Sequence, residues 1–117
     1  MSGGKNVPIV DIDYETEDVI ISCSVADGTV TTCRCRILYG WLILYLLDPE
    51  PFDDIGREFC EGLLATNPSI GLVETNAFVL LDLPNGRLTI SADDKTKLRD
   101  ALAVTLVQFS ESIADLF

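Results

Sequence analysis

Residues 29–47 decide the predicted fold, and they read TVTTCRCRILYGWLILYLL. Polar and apolar side chains alternate over the first half of this stretch, as in a strand with one buried face. Tyr39-Gly40 then predicts a two-residue turn into another strand. In that register one face of the hairpin is wholly apolar. The other face, which lies on the outside of the sheet, combines Arg34, Arg36, Trp41, Ile43 and Tyr45.

The flanking segments predict an α+β fold in the order βββαββα. They are Val19–Val25, Thr29–Ile37, a strand after Gly40, an amphipathic helix over Phe52–Thr66, Ser69–Glu74, Ala77–Leu83 and a closing helix capped by Ser91. The closing helix has a core stripe of Leu98, Leu102, Leu106, Phe109, Ile113 and Leu116. This order predicts a five-stranded antiparallel sheet with two main helices packed on it. We expect residues 18–117 to form this domain and residues 1–17 to form an extended N-terminal arm.

Two details of this fold stay open at the level of sequence. A strict two-residue turn at Asp27-Gly28 places Val19 and Ile21 on the arginine face, whereas a three-residue loop with a bulge places them on the core face. The arm has apolar residues that would suit a cover for the outer face of the sheet, and these are Val7, Ile9 and Val10.

Size and charge exclude several classes of protein. The chain has 117 residues, which suits one domain, and a formal net charge of −11. A phosphate backbone would be repelled, because the eight basic residues are scattered. The apolar run Ile37–Leu47 is much shorter than the roughly 20 residues that a membrane span needs. We therefore expect a cytoplasmic protein that binds neither nucleic acid nor membrane.

The chain lacks the usual groups of an active site. It has no histidine, and no phosphate-binding glycine loop or nucleophile elbow is present. The paired acids Asp53/Asp54 and Asp93/Asp94 precede helices, where the helix dipole favours negative charge. The acidic stretch over residues 11–18 has Thr16 at the position where a calcium-binding EF-hand needs glycine. We expect no enzyme activity, no cofactor and no metal.

The cysteines are predicted to be buried free thiols. Cys33 and Cys35 alternate with arginines and so point into the core from one strand face, where cysteine behaves as a small apolar residue. Two disulfides or a structural metal are the alternatives for the four cysteines of the chain.

The helix over Phe52–Thr66 is the predicted site of dimer formation. Its small residues, among them Gly62, form a strip along the helix, and two interior glycines cost roughly 1 kcal/mol each against alanine. Close approach of another backbone would offset that cost. The predicted contact residues are Gly56, Cys60, Leu63 and Leu64. The alternative is a weak helix that is held in place by its core face alone.

The element order resembles the class I chaperones of bacterial type III secretion. The most similar part is residues 57–83, REFCEGLLATNPSIGLVETNAFVLLDL, followed by the closing helix with Leu98, Leu102 and Phe109. The resemblance implies a small acidic cytoplasmic homodimer that holds an unfolded segment of a secreted effector and uses no cofactor. Residues 1–17 depart from the family, whose members begin with an amphipathic helix.

Binding is therefore the predicted function. The first hypothesis is a dimeric chaperone that holds an extended segment on the outer face of the sheet. The alternative is an inhibitor or immunity-type protein whose acidity complements a basic target. Aromatic and arginine side chains often dominate interface energies, which favours the outer face as the binding site.

Overall fold

The computed structural model describes residues 8–24, 30–84 and 86–114. Within these ranges the chain forms two three-stranded antiparallel sheets and three α-helices, so the α+β class is confirmed. In chain order the elements are β1 (Ile9–Asp13), β2 (Asp18–Ser24), β3 (Val30–Arg36), α1 (Ile37–Leu47), α2 (Asp54–Thr66), β4 (Gly71–Glu74), β5 (Phe78–Leu83), β6 (Gly86–Ser91) and α3 (Lys95–Ala114). The predicted single sheet of five strands is replaced by these two sheets.

The predicted strand after Gly40 is wrong, because residues 37–47 form helix α1. Apolar side chains occupy almost every position of this segment, so the two-residue alternation of β3 ends where α1 begins. Gly40 is a packing residue and not part of a turn. A Cβ atom there would lie 3.1 Å from Val19 Cγ2 and 3.3 Å from Leu106 Cδ2. The glycine therefore lets α1 approach both β2 and α3.

The register of the first sheet resolves the open choice at its hairpin. Val19 lies opposite Cys35 and Ile21 lies opposite Cys33, and all four are buried. They therefore share the core face, as the bulged-loop alternative predicts. The turn residues Asp27-Gly28 themselves lie outside the described part of the chain.

The second sheet contains the predicted β4–β5 hairpin and a third strand, β6, that the sequence pattern did not predict. β6 pairs with β5, and its Leu88 and Ile90 are fully buried. The two sheets meet where β6 contacts β2 and β3. There the Thr31 hydroxyl donates to the Thr89 carbonyl at 3.2 Å and accepts from the Thr89 N–H at 3.4 Å. One side chain therefore bonds the backbone of the neighbouring sheet.

Helix α3 supplies much of the core. Its predicted stripe is confirmed at Leu98, Leu102, Leu106 and Phe109, which are all buried. The side chains of Ile113 and Leu116 lie outside the described part of the chain. Ser91 precedes a 3-10 turn over Ala92–Asp94 that leads into α3, and its side chain makes no capping hydrogen bond.

The predicted N-terminal arm is partly a strand of the domain. β1 pairs along its whole length with β2, and α3 packs against it. The Tyr14 ring lies 5.8 Å from the Phe109 ring between centroids. Residues 9–13 are thus an edge strand of the first sheet and do not cover its outer face. Residues 1–7, including Val7, lie outside the described ranges.

Candidate partner-binding surface

The residues predicted for the outer face do not share one surface, because α1 is helical. Side chains four residues apart lie on the same side of a helix, whereas residues two apart point in nearly opposite directions. Trp41 and Tyr45 are half-buried on one side of α1, and Ile43 is 0% exposed within the core. Ile43 therefore has no surface on which to meet a partner.

The two arginines of the predicted face remain exposed on β3. Arg34 Nη1 lies 3.2 Å from Asp13 Oδ2 and 3.0 Å from Asp18 Oδ2. The hydrogen bond from Arg34 lowers the pKa of the Asp13 carboxyl. Arg36 is the last residue of β3 and directly precedes α1. Arg34 thus neutralises acids of its own sheet, and the structure separates it from Trp41 and Tyr45 by element.

The four residues predicted for the dimer contact have different environments on α2. Cys60 is buried, whereas Leu63 and Leu64 are half-buried. A Cβ atom on Gly56 would lie 3.3 Å from Phe52 Cδ2. Gly56 and Cys60 line a small cleft against α1 together with Leu38 and Trp41. Gly56 and Cys60 of the small-residue strip therefore face this chain's own α1, whereas Gly62 lies in an exposed groove on another side of α2.

An apolar surface does exist, but it lies on the helices. Within α2 only Cys60 is buried, while Ile55 is 80% exposed and Phe59 is 56% exposed. Three clefts adjoin here. The small cleft between α2 and α1 shares the lining residues Trp41 and Phe52 with one neighbouring cleft and Phe59 with the other. We call this continuous surface the α2 flank; its apolar members are Leu38, Trp41, Leu44, Phe52, Ile55, Phe59, Leu63, Ala103 and Val107.

The largest of these clefts, which we call the Trp41–Phe52 cleft, lies between α1, α3 and the segment that joins α1 to α2. Its volume is about 660 Å³. The Phe52 ring packs edge-on against Tyr45, with 5.3 Å between ring centroids. The Tyr45 hydroxyl donates to the Glu61 carboxylate on α2, and this hydrogen bond raises the pKa of Tyr45. One wall of the cleft is therefore held by contacts from both helices.

Local sequence explains how the joining segment places Phe52 at this cleft. The Asp48 N–H donates to the Leu44 carbonyl at 2.9 Å, which closes the last turn of α1. Asp53 Oδ1 then accepts the Gly56 N–H at 2.7 Å and caps α2. Asp53 thus stabilises the helix start, as expected for an acid in that position. Between these two caps the Phe52 N–H donates to the Pro49 carbonyl at 3.1 Å, and the Phe52 ring packs against Tyr45 of α1.

The rim of the Trp41–Phe52 cleft is acidic. Three carboxylates line it, from Asp48, Asp53 and Asp100, together with the guanidinium of Arg99. Arg99 Nη2 lies 2.8 Å from Asp100 Oδ1, and Arg99 Nη1 lies 3.4 Å from Asp48 Oδ2. Three acids against one base leave an excess of two negative charges around an apolar floor.

The cysteines are confirmed as buried free thiols. Burial raises the pKa of Cys23 to about 12, while a hydrogen bond to Cys33 and burial raise that of Cys35. Across residues 8–24, 30–84 and 86–114, no group of three or more histidine, cysteine or acidic side chains is placed to hold a metal ion. No helix in the described part of the chain has the length and apolar character to cross a membrane.

Comparisons with known proteins give no relative from which a function could be transferred. No family model, no curated protein and no solved structure matches the chain. We therefore infer its function from the surface described above.

Proposed function

We propose that this protein is a non-enzymatic binding protein that holds an apolar segment of a partner protein against the α2 flank. The supporting observation is the exposure of Ile55 and Phe59 within a continuous apolar surface. Exposed apolar patches of this kind are uncommon on monomers and mark sites of interaction. An amphipathic helix that leaves its apolar residues in solvent is best explained by a partner that covers them.

We further propose that the partner is an unfolded or extended segment, as in the secretion chaperones that the sequence resembles. Those proteins are small and acidic, and this chain has a net charge of −11. The proposed setting is the bacterial cytoplasm before secretion of the partner. Helix α1 stands where the resemblance implies a third strand, so the proposed binding surface is the α2 flank and not the outer face of a sheet.

Two unfolded chains of opposite charge provide a direct test. Lysozyme and α-lactalbumin, both reduced and blocked with iodoacetamide, are unfolded chains of related sequence, basic and acidic respectively. We expect calorimetric titration to show binding of at least one of them, with native lysozyme as the folded control. Absence of binding to both unfolded chains would contradict the proposal.

A matched pair of variants assigns the binding to the α2 flank. Phe59 and Val104 are equally exposed at 56%, but Val104 on α3 does not line any of the three clefts. Phe59→Asp should weaken binding by about tenfold or more, as for a central interface residue. Val104→Asp should leave it unchanged. Equal losses would move the binding site away from α2.

The acidity of the chain also favours the inhibitor or immunity-type alternative. Such a protein binds a folded basic target, and charge complementarity would accelerate that association. Binding of native lysozyme as tight as that of the unfolded chain, with a steep loss at high salt, would favour this alternative.

The homodimer stays a prediction, and we expect it to form through the exposed groove of α2 when no partner segment is bound, so that a second copy and the partner compete for this part of the α2 flank. This groove is lined by Ile55, Phe59, Gly62, Leu63 and Thr66, among others. A Cβ atom on Gly62 would meet no atom within 4 Å, so Gly62→Arg fits the isolated fold. Light scattering at micromolar concentration should show a dimer for the parent chain and the 12.8 kDa monomer for Gly62→Arg. A parent chain of monomer mass would contradict the prediction.

A further inference from the structure

We propose that the Trp41–Phe52 cleft selects partner segments in which a bulky apolar side chain is flanked by lysine or arginine. This inference rests on the proposed function, and it adds the chemical class of segment that the surface prefers. Two properties of the cleft support it, namely the size of its apolar floor and the sign of the charge at its rim.

The apolar floor suits a large side chain. Trp41, Leu44, Phe52, Ala103 and Val107 line it, and its volume is about 660 Å³. Clefts of this size hold ligands much larger than one methyl group, and they usually combine an apolar lining with a few polar groups. An aromatic or branched aliphatic anchor would therefore bury most of its surface here.

The rim decides which residues can flank that anchor. Arg99 is already engaged by Asp48 and Asp100 at 3.4 Å and 2.8 Å. The excess of two negative charges would repel an acidic or phosphorylated segment. Lysine or arginine beside the anchor would instead find carboxylate oxygens at the rim.

The charge of the whole chain acts in the same direction. A net charge of −11 produces a negative potential that attracts basic segments before contact. Long-range attraction alone, however, would not depend on which acids are removed. If the rim selects basic segments, removal of rim acids should weaken binding more than removal of the same number of acids elsewhere on the chain.

Trp41 provides a local readout, because it is the only tryptophan of the chain and it lines the cleft. The probes are three short synthetic peptides without tryptophan. The first has a central Ile-Phe-Leu flanked by lysines, the second has the same centre flanked by glutamates, and the third has a central Ser-Ser-Ser flanked by lysines. We expect the first to change Trp41 fluorescence and to bind about tenfold or more tightly than either of the others.

Matched charge variants separate the rim from the overall charge. Asp48→Asn with Asp100→Asn removes two acids from the rim, whereas Asp11→Asn with Asp93→Asn removes two exposed acids that do not line the cleft. Asparagine keeps an oxygen acceptor for the Glu50 N–H that Asp48 now bonds at 3.2 Å and for the Arg99 guanidinium, and thermal melting of both variant pairs checks that the fold is preserved. The rim pair should weaken the first peptide by about tenfold, and the control pair by less than about twofold.

The outcomes distinguish this inference from the proposed function. Equal affinity for the lysine-flanked and glutamate-flanked apolar peptides, or equal effects of the two variant pairs, would overturn the basic preference and leave the binding function standing. If no apolar peptide and neither unfolded chain binds, both proposals fail.

Discussion

Helices α1 and α2 are neighbours in sequence and in space, yet the helix with the amphipathic spacing, α2, is the less buried of the two. α1 has no periodic apolar stripe and buries five of its eleven residues. α2 has the spacing of an amphipathic helix and buries only Cys60. A helical apolar stripe thus identifies a helix without identifying what covers it.

The difference follows from the number of elements that surround each helix. α1 packs against β2, β3, β4, α2 and α3, so apolar side chains are needed on most of its sides. α2 has α1 as its main neighbour, and the rest of its apolar stripe remains in contact with solvent. Four measurements test this contrast.

The largest effect is expected from truncation of one isoleucine in each helix. Ile43 is 0% exposed and Ile55 is 80% exposed. Ile43→Ala leaves a cavity and should lower the free energy of unfolding by about 3 kcal/mol, whereas Ile55→Ala should change it by less than about 0.5 kcal/mol. Urea denaturation at constant m-value measures both. Both changes are made in the Gly62→Arg background, in which the proposed dimer contact is blocked, so similar losses would show that the Ile55 side chain is buried within a single chain.

The cysteines report whether α2 opens independently of the core. Cys60 lies on α2, whereas Cys23 on β2 and Cys35 on β3 are buried residues of the first sheet. We expect iodoacetamide to modify Cys60 about tenfold faster than Cys35 in the native state, because local opening of a peripheral helix costs less than global unfolding. Mass spectrometry of the labelled peptides gives the rates.

Thiol ionisation also affects these labelling rates, because a thiol with a raised pKa reacts more slowly at neutral pH. The reactive species is the thiolate, so the raised pKa values of Cys60 and Cys35, like the value of about 12 for Cys23, slow all three reactions in the native state. Labelling in denaturant, where all four thiols regain ordinary pKa values, is the control. Equal native rates for Cys60 and Cys35 would show that α2 opens only when the whole domain unfolds.

The glycines of the two helices should respond to alanine with opposite signs. Gly62 has free space around it, so Gly62→Ala should stabilise the fold by about 1 kcal/mol through helix propensity. Gly40→Ala would press against Val19 at 3.1 Å and Leu106 at 3.3 Å, and it should destabilise by about 1 kcal/mol after the propensity gain is subtracted. Thermal melting of both variants measures the difference, and two stabilising changes would refute the close packing of α1.

The smallest effect concerns the polar link between the helices. The hydrogen bond to Glu61 raises the pKa of Tyr45 above its ordinary value of 10.0. The neutral phenol is favoured in the fold, so the link persists below about pH 10 and is lost as the pH rises further. Ultraviolet titration should show Glu61→Gln lowering this pKa, with Tyr45→Phe identifying the signal. An unchanged titration would mean that the two side chains do not bond.

Much of the fold was predictable wherever one side of an element faces solvent. The alternation over Cys33–Arg36 correctly predicted β3, and the stripe of α3 correctly predicted its buried leucines. The β4–β5 hairpin followed from its turn residues and apolar runs. In each case the period of the pattern identifies both the element and its buried side.

The α1 segment and the proposed binding site were not predictable in the same way. A run without polar residues fits a buried strand and a buried helix equally, and Gly40 suits a turn as well as a close contact. The predicted outer face then followed from the wrong register. The spacing of Phe52, Ile55 and Phe59 is visible in the sequence, but the exposure of the Ile55 and Phe59 side chains to solvent is not.

The class of the fold, the acidic charge, the buried thiols and the starts and ends of several elements follow from the amino-acid sequence, because they depend on composition and on neighbours along the chain. Long-range packing, in contrast, makes residues 37–47 a central helix, divides the strands into two sheets and brings Trp41, Phe52 and Asp100 into one cleft. Those outcomes depend on contacts between residues far apart in the chain. Local propensities differ by too little to decide them.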